Sequence, residues 1–189
     1  MAERRDLLLM RCGDRIRAER RVRLRLRRRL AIGAGGLTLL AATIITPPAP
    51  RLIWNASASA PIGLYLVSPG SRVRRGDMII ARVPEQWRSL AAHRHYLPLN
   101  VPLVKRAAAV AGDRVCADGQ RILVNGRAAA VRQQHDRKGR LLPWWTGCAI
   151  LAPGSVLLLM PSPDSFDGRY FGPSRPADIV GRAKLLWRA

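Results

Sequence analysis

The chain has 189 residues, enough for one globular domain plus an extension, and a formal net charge of +21 from 33 basic and 12 acidic residues. That excess implies an acidic partner, either nucleic acid or an anionic membrane surface. The positive charge is almost all arginine. The only lysines are Lys105, Lys138 and Lys184, and each stands out because lysine, unlike arginine, can lose its proton inside a protein.

Residues 1–29 are polar and Arg-rich, as in "ERRVRLRLRRRLAIG". Helix in patches is expected there, without a clean apolar face. The stretch reads as a cytoplasmic basic arm. A nucleic-acid-binding arm is the alternative, but aromatic side chains to stack on bases are few and no binding motif is present. Specific nucleic-acid binding is therefore not expected.

Residues 30–50, "LAIGAGGLTLLAATIITPPAP", carry no charge. The strongly apolar part, Leu30 to Thr46, is at the short end of the roughly 17–25 residues that a spanning helix needs. The Pro47-Pro48 pair ends the helix. Arginines before the span place the N-terminus in the cytoplasm by the positive-inside rule and export the rest. The expected organisation is a basic cytoplasmic arm over 1–29, one transmembrane helix over 30–50, and an exported domain over 51–189.

Beyond Ile53 the texture changes to short apolar runs broken by turn residues. Asn125-Gly126 between two such runs signals a two-residue hairpin. Gly76-Asp77 and Gly112-Asp113 mark further turns, and "PEQWRSLAAHRHY" can form one short helix. A mostly β, antiparallel domain is expected. "QQHDRKGR" reads as a solvated loop. Cys116 and Cys148 either pair as a disulfide, if this part is exported, or remain two buried thiols; Cys12 lies in the basic arm.

No metal-binding spacing, phosphate-binding Gly loop or Gly-x-Ser-x-Gly elbow occurs, so no metal or cofactor is expected. The three histidines, His93, His95 and His135, read as surface residues. Lys105 is different. In "VPLVKRAAAV" a strand would send Lys105 and Arg106 to opposite faces, with Val101, Leu103, Ala107 and Ala109 beside the lysine. An ammonium desolvated on that apolar face would have a lowered pKa, and the neutral amine can act as a general base. The other outcome is a lysine that snorkels to the rim.

A lysine base needs a serine nucleophile near it. "NASASAPIGLY" offers Ser57 and Ser59, whose side chains share one face of an extended segment. One can attack a carbonyl while the other points its hydroxyl at the developing oxyanion. The same stretch also reads as a leader cleavage site after Ala58, which would leave a secreted basic binding protein.

Three blocks resemble type I signal peptidases, in particular the conjugative-transfer peptidases of the TraF type, over roughly residues 53 to 187. They are "NASASAPIGLY", "VKRAAAVAGDRV" and "SPDSFDGRYFGP". The resemblance implies Ser59 as nucleophile, Ser57 and the Ser59 N–H as oxyanion donors, and Lys105 as general base. It also implies Ser165 hydrogen-bonded to the lysine, and Asp167 and Arg169 as a supporting ion pair. Two features depart from general signal peptidases. Ala60 stands where they have Met, and their Gly-Asp-Asn-Arg sequence is missing before the last block. Both shortenings fit the conjugative subfamily.

The implied fold is β-rich, with one membrane span. The implied function is a Ser–Lys endopeptidase of the bacterial inner membrane, single-pass, with its catalytic domain in the periplasm and anionic lipid beneath it. Its substrate would be a membrane-inserted, pilin-like precursor with small residues before the cleavage site, within conjugative type IV secretion. In that subfamily the acyl group can pass to an amine and give a cyclic product. The alternatives are a general signal peptidase I and a catalytically silent membrane-anchored scaffold.

Overall fold

A computed structural model of the chain describes residues 2–45 and 50–189. The chain divides into two compact units, Met1–Pro48 and Ala49–Ala189.

In the first unit, α1 (Ala2–Ile45) is one continuous helix rather than the expected patches. Arg, Leu and Ala dominate it, all strong helix formers, and the first proline comes at position 47. Among the described residues no helix is long and apolar enough to cross a membrane. The span expected over 30–50 is therefore not found, and its residues 46–49 lie outside the described ones. The uncharged part of α1, residues 30–45, would reach roughly 24 Å at 1.5 Å per residue, short of a hydrocarbon core of about 30 Å.

The second unit is built on two antiparallel sheets. The larger has the order β1-β2-β10-β3-β4-β9, made of β1 (Leu52–Asn55), β2 (Gly63–Ser68), β3 (Met78–Ala81), β4 (Leu103–Ala109), β9 (Leu157–Leu159) and β10 (Ile179–Arg188). The smaller has the order β7-β6-β5-β8, made of β5 (Arg114–Asp118), β6 (Arg121–Val124), β7 (Arg127–Val131) and β8 (Gly147–Ile150). The last strand to be made, β10, pairs between β2 and β3 and closes the larger sheet.

The larger sheet is covered on both faces at β3 and β9, and on one face at β2. Ile79, Ile80 and Ala81 are consecutive and all buried, as are Leu157, Leu158 and Leu159. Such uninterrupted apolar runs suit strands packed on two sides, whereas alternation marks a strand with one wet face. One core cluster joins the two sheets through Ala109, Val115, Ile122 and Leu157. Cys116 and Cys148 face each other across β5 and β8 and are joined by a disulfide.

Several local signals become structure as expected. Asn125 (φ 51°) and Gly126 (φ 79°) form the two-residue turn between β6 and β7, the paired positive φ values that such a hairpin demands. The short helix is α2 (Glu85–His93). Gly76 and Gly112, with φ 91° and 87°, make the two glycine turns.

Candidate active site

β4 supplies the lysine. Leu103, Lys105, Ala107 and Ala109 are buried while Arg106 is exposed, so Lys105 and Arg106 part as the sequence implies, although Val104 on the other face is buried too. Val101, expected on the same face, precedes the strand and is exposed. Lys105 retains only 3% of its accessible surface; it does not snorkel. Burial lowers its pKa from 10.5 to about 8; the Asp167 carboxylate works against that fall and the Arg169 guanidinium adds to it.

Ser59 comes from the turn between β1 and β2. Asn55, the last residue of β1, organises that turn. Its buried side-chain amide donates to the carbonyls of Ser57 (3.0 Å), Ala60 (3.1 Å) and Pro61 (3.0 Å), and its Oδ1 accepts from the Ser57 N–H (3.1 Å). The Tyr65 hydroxyl donates to the Pro61 carbonyl at 2.8 Å, tying the far end of the turn to β2. Ala60 is buried among Tyr65, Val104 and Met160, where a small apolar side chain fixes the residue after Ser59. Gly63 ends the turn at φ 151°; a Cβ there would lie 2.0 Å from the Trp187 carbonyl oxygen. Only glycine lets β10 pass this close.

These two elements bring Ser59 Oγ to 2.8 Å from Lys105 Nζ. Ser165 Oγ lies 2.7 Å from the same nitrogen and is buried. Ser57 Oγ is 3.0 Å from Ser59 Oγ and accepts from the Ser59 N–H at 3.4 Å. The two expected oxyanion donors thus face each other, and a substrate carbonyl oxygen would have to come between them.

Behind Lys105, Asp167 and Arg169 are 0% and 2% exposed. Their closest contact is 2.8 Å, Arg169 Nε to Asp167 Oδ1. Asp167 also caps the short helix α3 (Gly168–Phe171), accepting from the Arg169 N–H, and its Oδ2 accepts from the Met160 N–H at 3.0 Å. The Arg169 guanidinium donates further to the carbonyls of Met160, Val131 and Pro163. Every strong polar group of this pair is therefore met, the condition under which a buried ion pair is tolerated. A Cβ on Gly168 would lie 2.8 Å from the Leu158 carbonyl, so this helix packs directly on β9.

A cavity of about 520 Å³ opens beside Ser57 and Ser59. Its lining also includes Asp136, Arg137, Lys138 and Arg140, from the loop expected only to be solvated. Asp136 draws that loop in. It accepts from the Tyr96 hydroxyl, from the Arg140 guanidinium, and from the N–H groups of Lys138 and Arg140. Asn55 and this loop are the parts of the site that sequence reasoning missed. For Asn55 the available signal was its place at the start of the serine block; for the loop, the Asx-turn pattern of Asp136 followed by Gly139.

All the expected site residues, Ser57, Ser59, Lys105, Ser165, Asp167 and Arg169, converge on one end of the larger sheet. The Cys116–Cys148 disulfide lies in the smaller sheet. No group of three or more His, Cys, Asp or Glu side chains able to hold a metal occurs among the described residues.

The sequence profile described as "Signal peptidase, peptidase S26" matches residues 26–188. A conjugal transfer protein TraF of Agrobacterium fabrum is 30% identical over 167 residues, covering 82% of this chain and 93% of that protein. A plasmid transfer protein TraF of Escherichia coli is 32% identical over 178 residues, covering 86% of this chain and 97% of its own length. The crystal structure of a signal peptidase I from Enterococcus faecalis aligns with a TM-score of 0.35 at 18% identity, covering 59% of this chain and 97% of that one.

Proposed function

The chain belongs to the signal peptidase family, peptidase S26, and from that premise we propose that it is a Ser–Lys endopeptidase acting on a pilin-like precursor during conjugative transfer. The observation that carries the reading is the 2.8 Å approach of Ser59 Oγ to a lysine amine that has been stripped of water.

In its neutral form Lys105 Nζ accepts the Ser59 proton while donating to Ser165, which fixes the direction of its lone pair. Ser59 Oγ then attacks the carbonyl carbon after a small residue. The oxyanion takes hydrogen bonds from the Ser59 N–H and the Ser57 hydroxyl. Lys105 returns the proton to the leaving amine as the peptide C–N bond breaks, leaving an acyl ester on Ser59. A water molecule, deprotonated by Lys105, hydrolyses that ester; an amine of the substrate attacking in its place would close a ring. The names of the relatives, which speak of conjugal and plasmid transfer, support a substrate used in conjugative transfer over general signal peptides.

The setting we propose is the periplasmic surface of the bacterial inner membrane. Leu52, Trp54, Leu64, Leu66 and Trp187 are linked by direct cross-strand pairing on β1, β2 and β10 and so share one face. Four of them are substantially exposed: Leu52, Trp54, Leu66 and Trp187. Trp54 and Trp187 pack against each other at 5.6 Å. Such an apolar patch, one residue from the turn that carries Ser59, suits contact with lipid. The arginines of α1 suit anionic headgroups, and the disulfide suits an oxidising compartment.

The test is processing of a co-expressed precursor by the full chain. Ser59→Ala and Lys105→Arg should each lower it by at least about 10⁴-fold, the scale on which a nucleophile or its base is lost. Arginine keeps the charge but cannot deprotonate. Undiminished processing by either variant would favour a silent scaffold.

A further inference from the structure

The cavity beside Ser59 has a charge balance that peptide hydrolysis alone does not explain. Four cations line it, Arg94, Arg137, Lys138 and Arg140, against two anions, Asp136 and Asp164. Both anions are already engaged. Asp136 is held by Tyr96, by Arg140 and by two backbone N–H groups. Asp164 pairs with Arg137. Arg94 and Lys138 are left without a carboxylate. Arg94 donates to the carbonyl of Leu141. The Lys138 ammonium is exposed and has no hydrogen-bond or ion-pair partner among the described residues.

A concave site with an excess of one sign of charge and low-dielectric walls concentrates its field and selects the opposite charge. The walls here include the rings of Tyr96, Phe166 and Tyr170. A volume of about 520 Å³ accommodates a short stretch of peptide running from Ser59 to the loop. We propose that this wall is a carboxylate anchor. The peptidase takes chains bearing a carboxylate close to the scissile bond, either an acidic side chain or the chain terminus, and Arg94 and Lys138 hold it. The proposal rests on the peptidase reading and makes that site selective for acidic segments.

Binding can be measured apart from turnover, by titration calorimetry on the full-length Ser59→Ala protein in detergent. The probes are capped Ala/Ser octapeptides carrying one Glu at each position in turn, their Gln counterparts, and an uncapped form with a free C-terminal carboxylate. Carboxylate-bearing peptides should bind about tenfold tighter than the uncharged ones in 50 mM salt, the scale of two partly screened ion pairs. Most of that advantage should vanish in 500 mM salt. A gain confined to the Glu peptides assigns the anchor to a side chain, and a gain confined to the free terminus assigns it to the chain end.

Lys138→Gln, which breaks no side-chain hydrogen bond or ion pair among the described residues, should reduce the advantage about threefold, and the double variant Arg94→Gln/Lys138→Gln should remove it. Arg121→Gln, on β6 and outside the cavity, should leave it unchanged. Equal binding of all the peptides, no binding of any, or an equal loss with Arg121→Gln would overturn the anchor. Cleavage of the same peptides by protein with Ser59 intact separates the two ideas. Carboxylate preference in binding without cleavage counts against the peptidase reading alone; cleavage without carboxylate preference counts against the anchor alone.

Discussion

The larger sheet keeps charge inside; the smaller one keeps its strands outside. In the six-stranded sheet and the loops that pack on it, Lys105, Asp167 and Arg169 all lie in the protein interior. In the four-stranded sheet, every residue of β8 and four of the five in β7 are exposed. What holds the second sheet is one face of Val115, Ala117 and Ile122 packed on the shared core, the buried Arg132 after β7 donating twice to the Gly119 carbonyl, and the Cys116–Cys148 cross-link. The contrast teaches where each sheet's energy goes. The larger sheet has apolar burial in excess and can tolerate unfavourable charges at the site; the smaller has little excess and relies on a covalent bond. Changes in the larger sheet should therefore move activity and stability together, and changes in the smaller should move stability alone.

The sharpest way to break this comparison is through Asp167. Asp167→Asn leaves the Arg169 guanidinium buried without its anion. The expected cost is about 3–5 kcal/mol, read from urea unfolding. A second readout separates this from mere loosening. Asp167 holds the Lys105 pKa up, so its removal should shift the rise of activity with pH to lower pH. A variant that unfolds more easily but keeps the wild-type pH profile would leave Asp167 as packing only.

Next in size is the disulfide. Cys116 and Cys148 are 32 residues apart in sequence. Opening a loop of that length should cost about 3–4 kcal/mol on the chain-entropy account. The double variant Cys116→Ser/Cys148→Ser should lose that much in denaturant titration, with activity per folded molecule unchanged. A matching drop in activity would show that the smaller sheet positions the site after all.

The same contrast governs how much was legible in the sequence. The alternation around Lys105 was legible because it is local: one strand with one charged residue on an apolar face. The Asn125-Gly126 hairpin was legible because a two-residue turn permits few residue types. The three blocks gave the serines, the lysine and the Asp167–Arg169 pair by resemblance, and the chain brings them together. The insertion of β10 between β2 and β3 was not legible, since pairing across the whole length of a chain leaves no periodic mark in either partner. Nor was Asn55, whose side chain serves three carbonyls that come together only once the turn has formed. The loop around Asp136 has the composition of a solvated segment, and what brings it to the cavity is a set of contacts distant in sequence: Tyr96 to Asp136, Arg94 to the Leu141 carbonyl, Arg140 to the Arg94 carbonyl, and Arg137 to Asp164. The membrane span was read from an uncharged run whose described part, 30–45, is too short for a bilayer.

The smallest effect is also the most direct probe of why the larger sheet buries a lysine at all. Lys105 has a pKa of about 8 in the folded protein against 10.5 as its ordinary value, chiefly because burial penalises the ammonium. On the proposed reading Lys105 is the base and can act only when neutral, so the rate should climb roughly tenfold per pH unit below 8 and level off above it. Stability carries the same signature. Between pH 8 and 10.5 the unfolded chain binds a proton at this residue that the folded chain does not, so stability rises with pH across that window. Below 8 both forms are protonated and the fold bears the full desolvation cost. Lys105→Met, similar in length and uncharged, removes that cost along with the hydrogen bonds to Ser59 and Ser165. It should abolish activity yet stabilise the fold at pH 7 by on the order of 1–3 kcal/mol, and the gain over wild type should shrink as pH rises from 8 towards 10.5. Urea unfolding of both proteins at pH 7 and pH 10 decides it. A gain that is absent at pH 7, or as large at pH 10, would mean that the ammonium finds compensation in the interior and that the sheet does not tolerate an unfavourable charge for the sake of its chemistry.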